Sequence, residues 1–548
     1  MTTKYLLTAA LPYANGSIHL GHLLEHVQAD IYVRALRARG DDAIFLCADD
    51  THGTPIELNA RQQGITPEAL IERSYEEHAR DFVDFSVDFD LYYTTNSPEN
   101  QALAELIFER LRDGGHIERK TTLQFYSENL GRFLPDRMVR GTCPRCGATE
   151  QYGDACEVCR STYDPSELID PIDAIEGATP VLRESEQLYV RLADFTDVLT
   201  EWASHGIHQE GVQNFVSSWM DRGLDSWCIS RDAPYFGFPI PGEPGKYFYV
   251  WLDAPVGYIS TTQKYLAERG EDWRTYWAPD ADAYIIHIIG KDIVYFHTLF
   301  WPAMLHAASL KKPDRVQVHG FLTVNGTKMS KSRGTFIRAR TYLDHLDPDY
   351  LRFYYASRLG PGMDDLDLSV SDFVARVNSD LINNPVNLCS RVTKLLTKRF
   401  EGKPVPFDPA DFPVCAQVAE RLADVVPSLI AWDYRAAIRA IAEAGDIANL
   451  YLQEAAPWKV VNDDADAAQR ICSVGLHLSV LLMHALHPIV PRTSARFAAA
   501  LGLDVLTDAH CSPSWQPEEV AAATLLARLD VSTFEAIIEA SRAEHVGT

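Results

Sequence analysis

Positive charge is in short supply in this sequence: 50 Lys and Arg face 76 Asp and Glu, a formal net charge of −26 at pH 7. That balance excludes a broadly basic nucleic-acid surface, so any contact with RNA has to use local patches and shape. No basic hydrophobic leader is read at the start, where the apolar run Tyr5 to Leu11 is too short for a signal segment, and no internal repeat or low-complexity stretch is evident. Long charge-free runs are equally scarce. The one that approaches spanning length, Ile471 to Pro491, contains His477, His484, His487, Ser473, Ser479 and Gly475, which predict a buried bundle helix rather than a membrane span. A cytoplasmic protein without a membrane partner is expected. At 548 residues the chain is too long for one core and predicts about three or four packed units.

Cysteine is sparse and unevenly placed. Cys47, Cys228, Cys389, Cys415, Cys472 and Cys511 are scattered, whereas Cys143-Pro144-Arg145-Cys146 and Cys156-Glu157-Val158-Cys159 form two C-x-x-C turns separated by nine residues. Each short turn can aim two thiolates at one tetrahedral Zn²⁺. A disulfide pair or a redox motif fits less well, because the compartment reads as reducing and a redox motif predicts one pair rather than two. Four protein ligands leave no open position, so such a zinc is structural.

Two short motifs carry the chemistry. His19-Leu20-Gly21-His22 follows a strand and a Pro/Asn/Gly turn and opens a predicted helix, Leu20 to Arg39, whose unpaired N–H groups and positive dipole end attract phosphate. Alone, the motif is read equally well as a cap on a surface helix. Lys328-Met329-Ser330-Lys331-Ser332, followed by Arg333-Gly334, leaves a predicted strand, Val316 to Val324, through Asn325-Gly326-Thr327, in outline a donor-rich phosphate clamp. A solvated basic loop is commoner in general, yet three clustered positive charges are less easily dismissed in so acidic a chain.

Together the motifs resemble the signature pair of class I aminoacyl-tRNA synthetases. Ala10-Leu11-Pro12-Tyr13-Ala14-Asn15-Gly16, Cys47-Ala48-Asp49-Asp50-Thr51-His52-Gly53-Thr54, Trp251-Leu252-Asp253-Ala254-Pro255 and Gly290-Lys291-Asp292-Ile293-Val294-Tyr295-Phe296-His297 resemble the methionyl-tRNA synthetase family in particular, and the likeness runs over essentially the whole chain.

Strand and helix patterns alternate to about residue 115, with a second strand at Ala43 to Leu46, and resume near Ala233 with strands at Tyr247 to Leu252 and Tyr284 to Ile289. They predict an α/β fold: a doubly wound parallel Rossmann-type sheet split by a zinc-bearing insertion. After about residue 365 the strand signal ends. Ile438, Ile441, Gly445, Ala448 and Leu452, like Phe373, Val377 and Leu381, recur at helical spacing and predict an all-α bundle. The divisions read are 1–115 and 233–325 for the two halves of the catalytic domain and 116–232 for the insertion, with its zinc knuckle at 143–159. The clamp loop and stem-contact region occupy 326–370 and the anticodon-binding bundle 371–548.

The resemblance implies roles residue by residue. His19 and His22 would act at the α-phosphate of ATP, Lys328 and Lys331 on the departing pyrophosphate with Mg²⁺, and Arg231 in ordering the closed site. Gly21, Gly290 and Asp292 would meet the nucleotide. Ala10, Leu11, Tyr13, Trp251, Ala254, Pro255, Tyr258, Ile293 and His297 would wall the methionine side chain, with Asp50 facing its ammonium. Aromatic and apolar walls suit a long, polarizable thioether. Asn387 and Arg391, spaced to share a helix face, and Trp458 would read the anticodon, although Pro385 predicts a kink just before Asn387. The implied activity is ATP-dependent activation of methionine and its transfer to initiator and elongator tRNA(Met). An insertion this small predicts no separate editing domain, so rejection of homocysteine would fall to the synthetic site. A last helix is predicted at Leu525 to Arg542, and a monomer is expected, since no appended dimerisation domain follows. A cysteine-activating relative and a non-enzymatic RNA binder are the rivals. The four-cysteine closure of the zinc and the apolar pocket oppose the first, and retention of His19, His22, Lys328 and Lys331 opposes the second.

Overall fold

Leu6, Leu7, Thr8 and Ala9 are all completely buried, which makes Lys4–Ala9 (β1) a strand covered on both faces and sets it at the centre of the molecule. In the computed structural model, which describes residues 3–134, 138–153, 156, 158–159, 163, 165–329 and 335–546, β1 is followed by a helix, Leu20–Arg39 (α1), closed by Gly40 at φ 94°. Asp42–Asp49 (β2), the helices Thr54–Gln63 (α2) and Pro67–Asp84 (α3), Leu91–Thr94 (β3) and Pro98–Asp113 (α4) complete the first half. Tyr284–Gly290 (β4) and Arg315–His319 (β5) supply the second.

All five strands are parallel, in the order β5-β4-β1-β2-β3. The order reverses between β1 and β4, so a crevice opens beyond their carboxyl ends, at Ala10 and Gly290. This is the doubly wound sheet expected. Between its halves, Ile117–Ser127 pairs antiparallel with Val181–Val190, and a small sheet of Val139–Thr142, Gln151–Tyr152 and Ile169–Asp173 carries the cysteine turns.

Two predicted strands are shorter than read. Tyr247 to Leu252 is extended only over Lys246–Phe248, which pairs antiparallel with Ser230–Asp232 outside the parallel sheet; Val250–Asp253 is a helical turn. Two residues apart on a strand, Trp251 and Asp253 would share a face, whereas the turn sends Asp253 to His52 and Trp251 onto Phe296. Val316 to Val324 breaks at Gly320, where a Cβ would lie 2.2 Å from the Asp364 carbonyl oxygen. Leu322–Val324 leaves the sheet to pair with Thr327–Lys328 and with Leu366–Leu368, a short strand past the point where strands were expected to end.

The rest is helical: Pro348–Arg358 (α5), Asn387–Phe400 (α6), Tyr434–Ala455 (α7) and Ala465–Leu486 (α8). Among the described residues, α8 is the one helix long and apolar enough to cross a membrane; it is instead largely buried against α6 and α7, as its histidines and serines predicted. Pro385 sits in a wide-turn π-helical stretch, Val377–Val386, that runs directly into α6. Asn384 there donates to Ala442 O (3.0 Å) and Asp446 (2.9 Å), so close to α7 that a Cβ on Gly445 would meet its Oδ1 at 2.0 Å.

The last helix begins at Val531 (Val531–Val546, α9) rather than Leu525. Backbone N–H groups before it bond tertiary partners instead: Ala523 to Thr393 Oγ1 (3.1 Å), Ala527 to the Tyr350 hydroxyl (3.1 Å) and Leu529 to Asn378 Oδ1 (2.8 Å). One fully buried side chain ties these layers together. Arg352 of α5 donates to Asp30 of α1 (2.6 Å), to Phe85 O after α3 (3.2 Å), and to Pro488 O (3.1 Å) and Ile489 O (2.9 Å) after α8.

Candidate active site and zinc centre

Backbone hydrogen bonds bring the two distant motifs together. Leu20 N donates to Ile337 O (3.1 Å) and Ala339 N to Ile18 O (2.8 Å), so the chain leaving the second motif runs beside the mouth of α1. Met329 reaches the same mouth: a Cβ on Gly21 would stand 2.6 Å from its Cε and 2.8 Å from the His19 ring, so any larger residue there would have to displace both side chains. The backbone of Lys328 lies in the hairpin with Leu322–Val324, while Lys331 falls outside the described residues. Helix α9 holds the far foot of this segment. Ser541 donates to Phe336 O (2.7 Å), and Glu544 pairs with Arg338 (2.8 Å) and accepts from Thr341 (2.7 Å).

His19 is the N-cap of α1. Its Nδ1 accepts from Gly21 N–H (3.0 Å), His22 Nδ1 accepts from His19 N–H (3.4 Å), and the rings stack at 3.7 Å. A ring nitrogen that accepts carries no proton, so both neutral rings have theirs on Nε2. Burial pushes His19 down to about 4 and His22 well below the usual histidine range, with His19 adding to the second. At neutral pH the pair offers two uncharged Nε2–H donors beside a helix N-terminus.

Among the residues expected to hold methionine, Tyr258 and His297 are hydrogen-bonded (hydroxyl to Nε2, 2.8 Å), and His297 Nδ1 donates to Ile293 O (3.1 Å). Burial holds His297 down to about 4, hence neutral. Trp251 lies flat on Phe296 at 3.7 Å, a partner that sequence reasoning missed although Phe296 sits inside the quoted run ending at His297. Ala254 and Pro255 are buried beside this group; Ala10 and Leu11 are half-buried at the end of β1. His287, also unforeseen, backs Tyr258 at 4.4 Å and is fixed by Thr8 (2.6 Å) and Trp301 Nε1 (3.0 Å).

Asp50 stands at the end of β2, bonded through its backbone to Pro12 O (2.9 Å) and Ala14 N (2.8 Å), which brackets Tyr13. Its buried Oδ1 has no hydrogen-bond partner among the described residues. Burial pushes its carboxyl well up, and Asp253 and Asp49 push it further. Each neighbour has one oxygen bonded, Asp49 Oδ1 by His78 (2.7 Å) and Tyr92 and Asp253 Oδ2 by His52, while its other oxygen, like Asp50 Oδ1, is buried without a partner among the described residues. The crevice therefore gathers three acidic side chains, each with an unpartnered buried oxygen, a setting complementary to a cation.

At the end of β4, where the nucleotide was expected, a Cβ at Gly290 would meet Asp292 Oδ1 at 2.6 Å and the His319 ring at 3.7 Å, and Asp292 is exposed. His319 pairs with buried Glu25 (3.1 Å), whose other oxygen accepts from Ala10 N–H (2.5 Å). Arg231 is seated at 3.8 Å over the ring of Tyr249, which lies just before Trp251 in the chain, and donates to Ser230 O (2.9 Å).

The four motif cysteines converge, with all Sγ atoms within 4.8 Å of one another. Cys143–Cys159 and Cys146–Cys156 are 3.8 and 3.6 Å apart, close to the ~3.8 Å edge of a tetrahedron with 2.3 Å metal–sulfur bonds. Donor type, count and spacing fit Zn²⁺.

In the bundle, Arg391 lies over Trp458 at 4.8 Å and Asn387 is exposed one turn before it on α6. Trp458 is 39% exposed, so it does not close the bundle core. The π-helical stretch absorbs Pro385 without breaking the helix that presents Asn387.

A family model described as tRNA synthetases class I (M) matches residues 5–393, and one for the anticodon binding domain of methionyl tRNA ligase matches residues 406–544. Among solved structures, Mycobacterium tuberculosis methionyl-tRNA synthetase in complex with methionyl-adenylate is similar at TM-score 0.76 and 25% identity, over 97% of this chain and 99% of that one. A second structure of that enzyme bound by methionyl-adenylate (TM-score 0.76, 24% identity, 96% and 99% covered) and its apo form (0.70, 23%, 97% and 99%) share the fold. With both models matched in order along the chain, and the signature segments joined at one crevice, the protein belongs to the methionyl-tRNA synthetase family of class I aminoacyl-tRNA synthetases.

Proposed function

We propose that the crevice between β1 and β4 performs the family's reaction with the residues described. The enzyme is a methionine–tRNA ligase: it activates L-methionine with ATP to methionyl-adenylate and pyrophosphate, then transfers methionine to the 3′ end of tRNA(Met), initiator and elongator alike. The observation that supports the residue-level reading is the meeting of Ile18–Leu20 with Ile337–Ala339, the described chain just beyond the clamp motif, beside the two histidines.

Asp50 takes the substrate ammonium. Tyr258, His297, Trp251, Ile293, Ala254, Pro255, Leu11, Tyr13 and Ala10 enclose the side chain and exclude water. The carboxylate then attacks the α-phosphate in line, with no covalent enzyme intermediate. His19 and His22 donate through Nε2–H to the oxygen that gains charge, a type of contact typically worth about 3 kcal/mol in the transition state. Gly21, Gly290 and Asp292 admit the nucleotide, Lys328 and Lys331 hold the departing pyrophosphate, which arrives as the Mg²⁺ complex of ATP, and Arg231 orders the closed site. Asn387, Arg391 and Trp458 read the anticodon. The protein acts as a cytoplasmic monomer.

Cys143, Cys146, Cys156 and Cys159 hold one structural Zn²⁺ per chain. Chelation, or Cys143→Ser, is expected to open the small sheet from Val139 to Asp173 to limited proteolysis while the far-ultraviolet signature of the remaining fold persists. Metal analysis should return one zinc per chain, and unchanged proteolysis after zinc loss would count against the assignment.

ATP–pyrophosphate exchange across all proteinogenic amino acids, without tRNA, tests the function. Methionine alone should support it. Exchange with cysteine instead would overturn the pocket, and none with any amino acid in zinc-replete protein would favour a binding-only role.

A further inference from the structure

Helix α6 breaks the charge rule of the whole molecule. From Leu381 to Phe400 there is no Asp or Glu, yet Arg391, Lys394, Lys398 and Arg399 are present; a stretch of this length at the chain's average composition would carry about three acids. Asn387, Arg391, Lys394 and Lys398 recur at spacings of four, three and four, so they share one face, about 17 Å long at 1.5 Å per residue. The opposite face is buried through Leu388, Cys389, Val392, Thr393 and Leu396. Lys394 and Lys398 are exposed, and among the described residues neither has an ion-pair partner. Like charges four residues apart weaken a helix slightly. The fold gains nothing from this pair, except that Lys398 in the last turn complements the helix dipole.

We propose that the stripe beyond Arg391, Lys394 and Lys398, is a track for the phosphodiester backbone of the bound tRNA. It rests on the reading of Asn387, Arg391 and Trp458 as the anticodon site: bases on that platform carry their backbone along the same helix face, where a row of cations is the complement. Phosphate contacts position an RNA without reading it, whereas base contacts specify. The stripe therefore contributes affinity and salt dependence but no anticodon preference.

The test is a Lys394→Gln/Lys398→Gln double variant of the full chain, which keeps side-chain length and helix propensity. Binding is measured against a methionine tRNA transcript and an anticodon-swapped transcript over a range of salt. Removing two phosphate contacts should flatten the slope of log K against log salt by about 1 to 2. At moderate salt both transcripts should weaken by a similar factor, about tenfold, with their ratio and the thermal midpoint unchanged. An unchanged slope overturns the track, and so does a changed transcript ratio. A lowered midpoint with the slope intact would leave Lys398 as a helix-dipole partner only. Methionine-dependent exchange without tRNA is the separate control: its absence in the parent sinks the functional reading, while the salt slope decides the track.

Discussion

Asp50→Asn is expected to lower methionine-dependent exchange by two to three powers of ten, mostly through methionine KM, because removing one partner of a buried charge pair costs about 3–5 kcal/mol. The free enzyme is built for this. Burial, then Asp253, then Asp49 hold the Asp50 carboxyl well above the ordinary range, so at moderately acid pH it keeps its proton in the empty site. An arriving ammonium favours the ionised form and pulls that value down. Methionine binding must then release a proton between the two values, and affinity should rise with pH across that window by up to about tenfold per unit before levelling off. Calorimetry in two buffers of different ionisation enthalpy reads the proton directly. Equal heats in both, or the same pH dependence in Asp50→Asn, would remove Asp50 from the ammonium site. The stability sign is opposite. A carboxyl whose folded value is raised binds protons more tightly folded than unfolded, so its contribution falls as pH rises from the unfolded value through the folded one. At neutral pH the native Asp50 costs stability, and Asp50→Asn should melt higher than the parent while working far worse.

Arg352→Met is expected to destabilise the protein by about 3–5 kcal/mol, the range for breaking a buried pair. Asp30 would keep Arg34 (2.8 Å) and Asp88 N–H (3.0 Å), but the carbonyls of Phe85, Ser86, Pro488 and Ile489 would lose the guanidinium. Because those carbonyls belong to the catalytic layer on one side and the bundle on the other, the loss should appear as a new low-temperature transition that separates the two, with aminoacylation falling more than exchange. Arg352→Lys should not rescue it, since a point charge cannot serve a carboxylate and carbonyls lying in different directions at once. A melting profile superimposable on the parent's would show that packing alone holds the layers.

What was legible in the sequence was local. The cap, helix and close approach at Gly21 are written in four consecutive residues, and the cysteine turns in two tetrads. The sheet followed from alternating patterns, and α1 came out with the bounds expected. What stayed hidden depends on distant partners. His52 and Asp253 meet across 201 residues, and nothing local to either names the other. Tyr247 to Leu252 is apolar enough for a strand, yet Trp251 and Asp253 need to face different ways. Leu525 to Leu529 has the Ala and Leu content of a helix, but two of its backbone donors, at Ala527 and Leu529, are claimed by Tyr350 and Asn378, so tertiary contacts override propensity. Phe296 and His287 were visible as residues and invisible as neighbours of Trp251 and Tyr258.

The grip of α9 on Phe336, Arg338 and Thr341 also bears on how the molecule is made. A ribosome finishes the sheet, the zinc turns and most of the bundle before it reaches Ser541 and Glu544. Until then the segment beside His19 and His22 lacks one of its anchors. A nascent chain, or one cut before α9, can therefore be folded almost throughout and still lack support beside the mouth of α1, which ties the order of that segment to synthesis of α9.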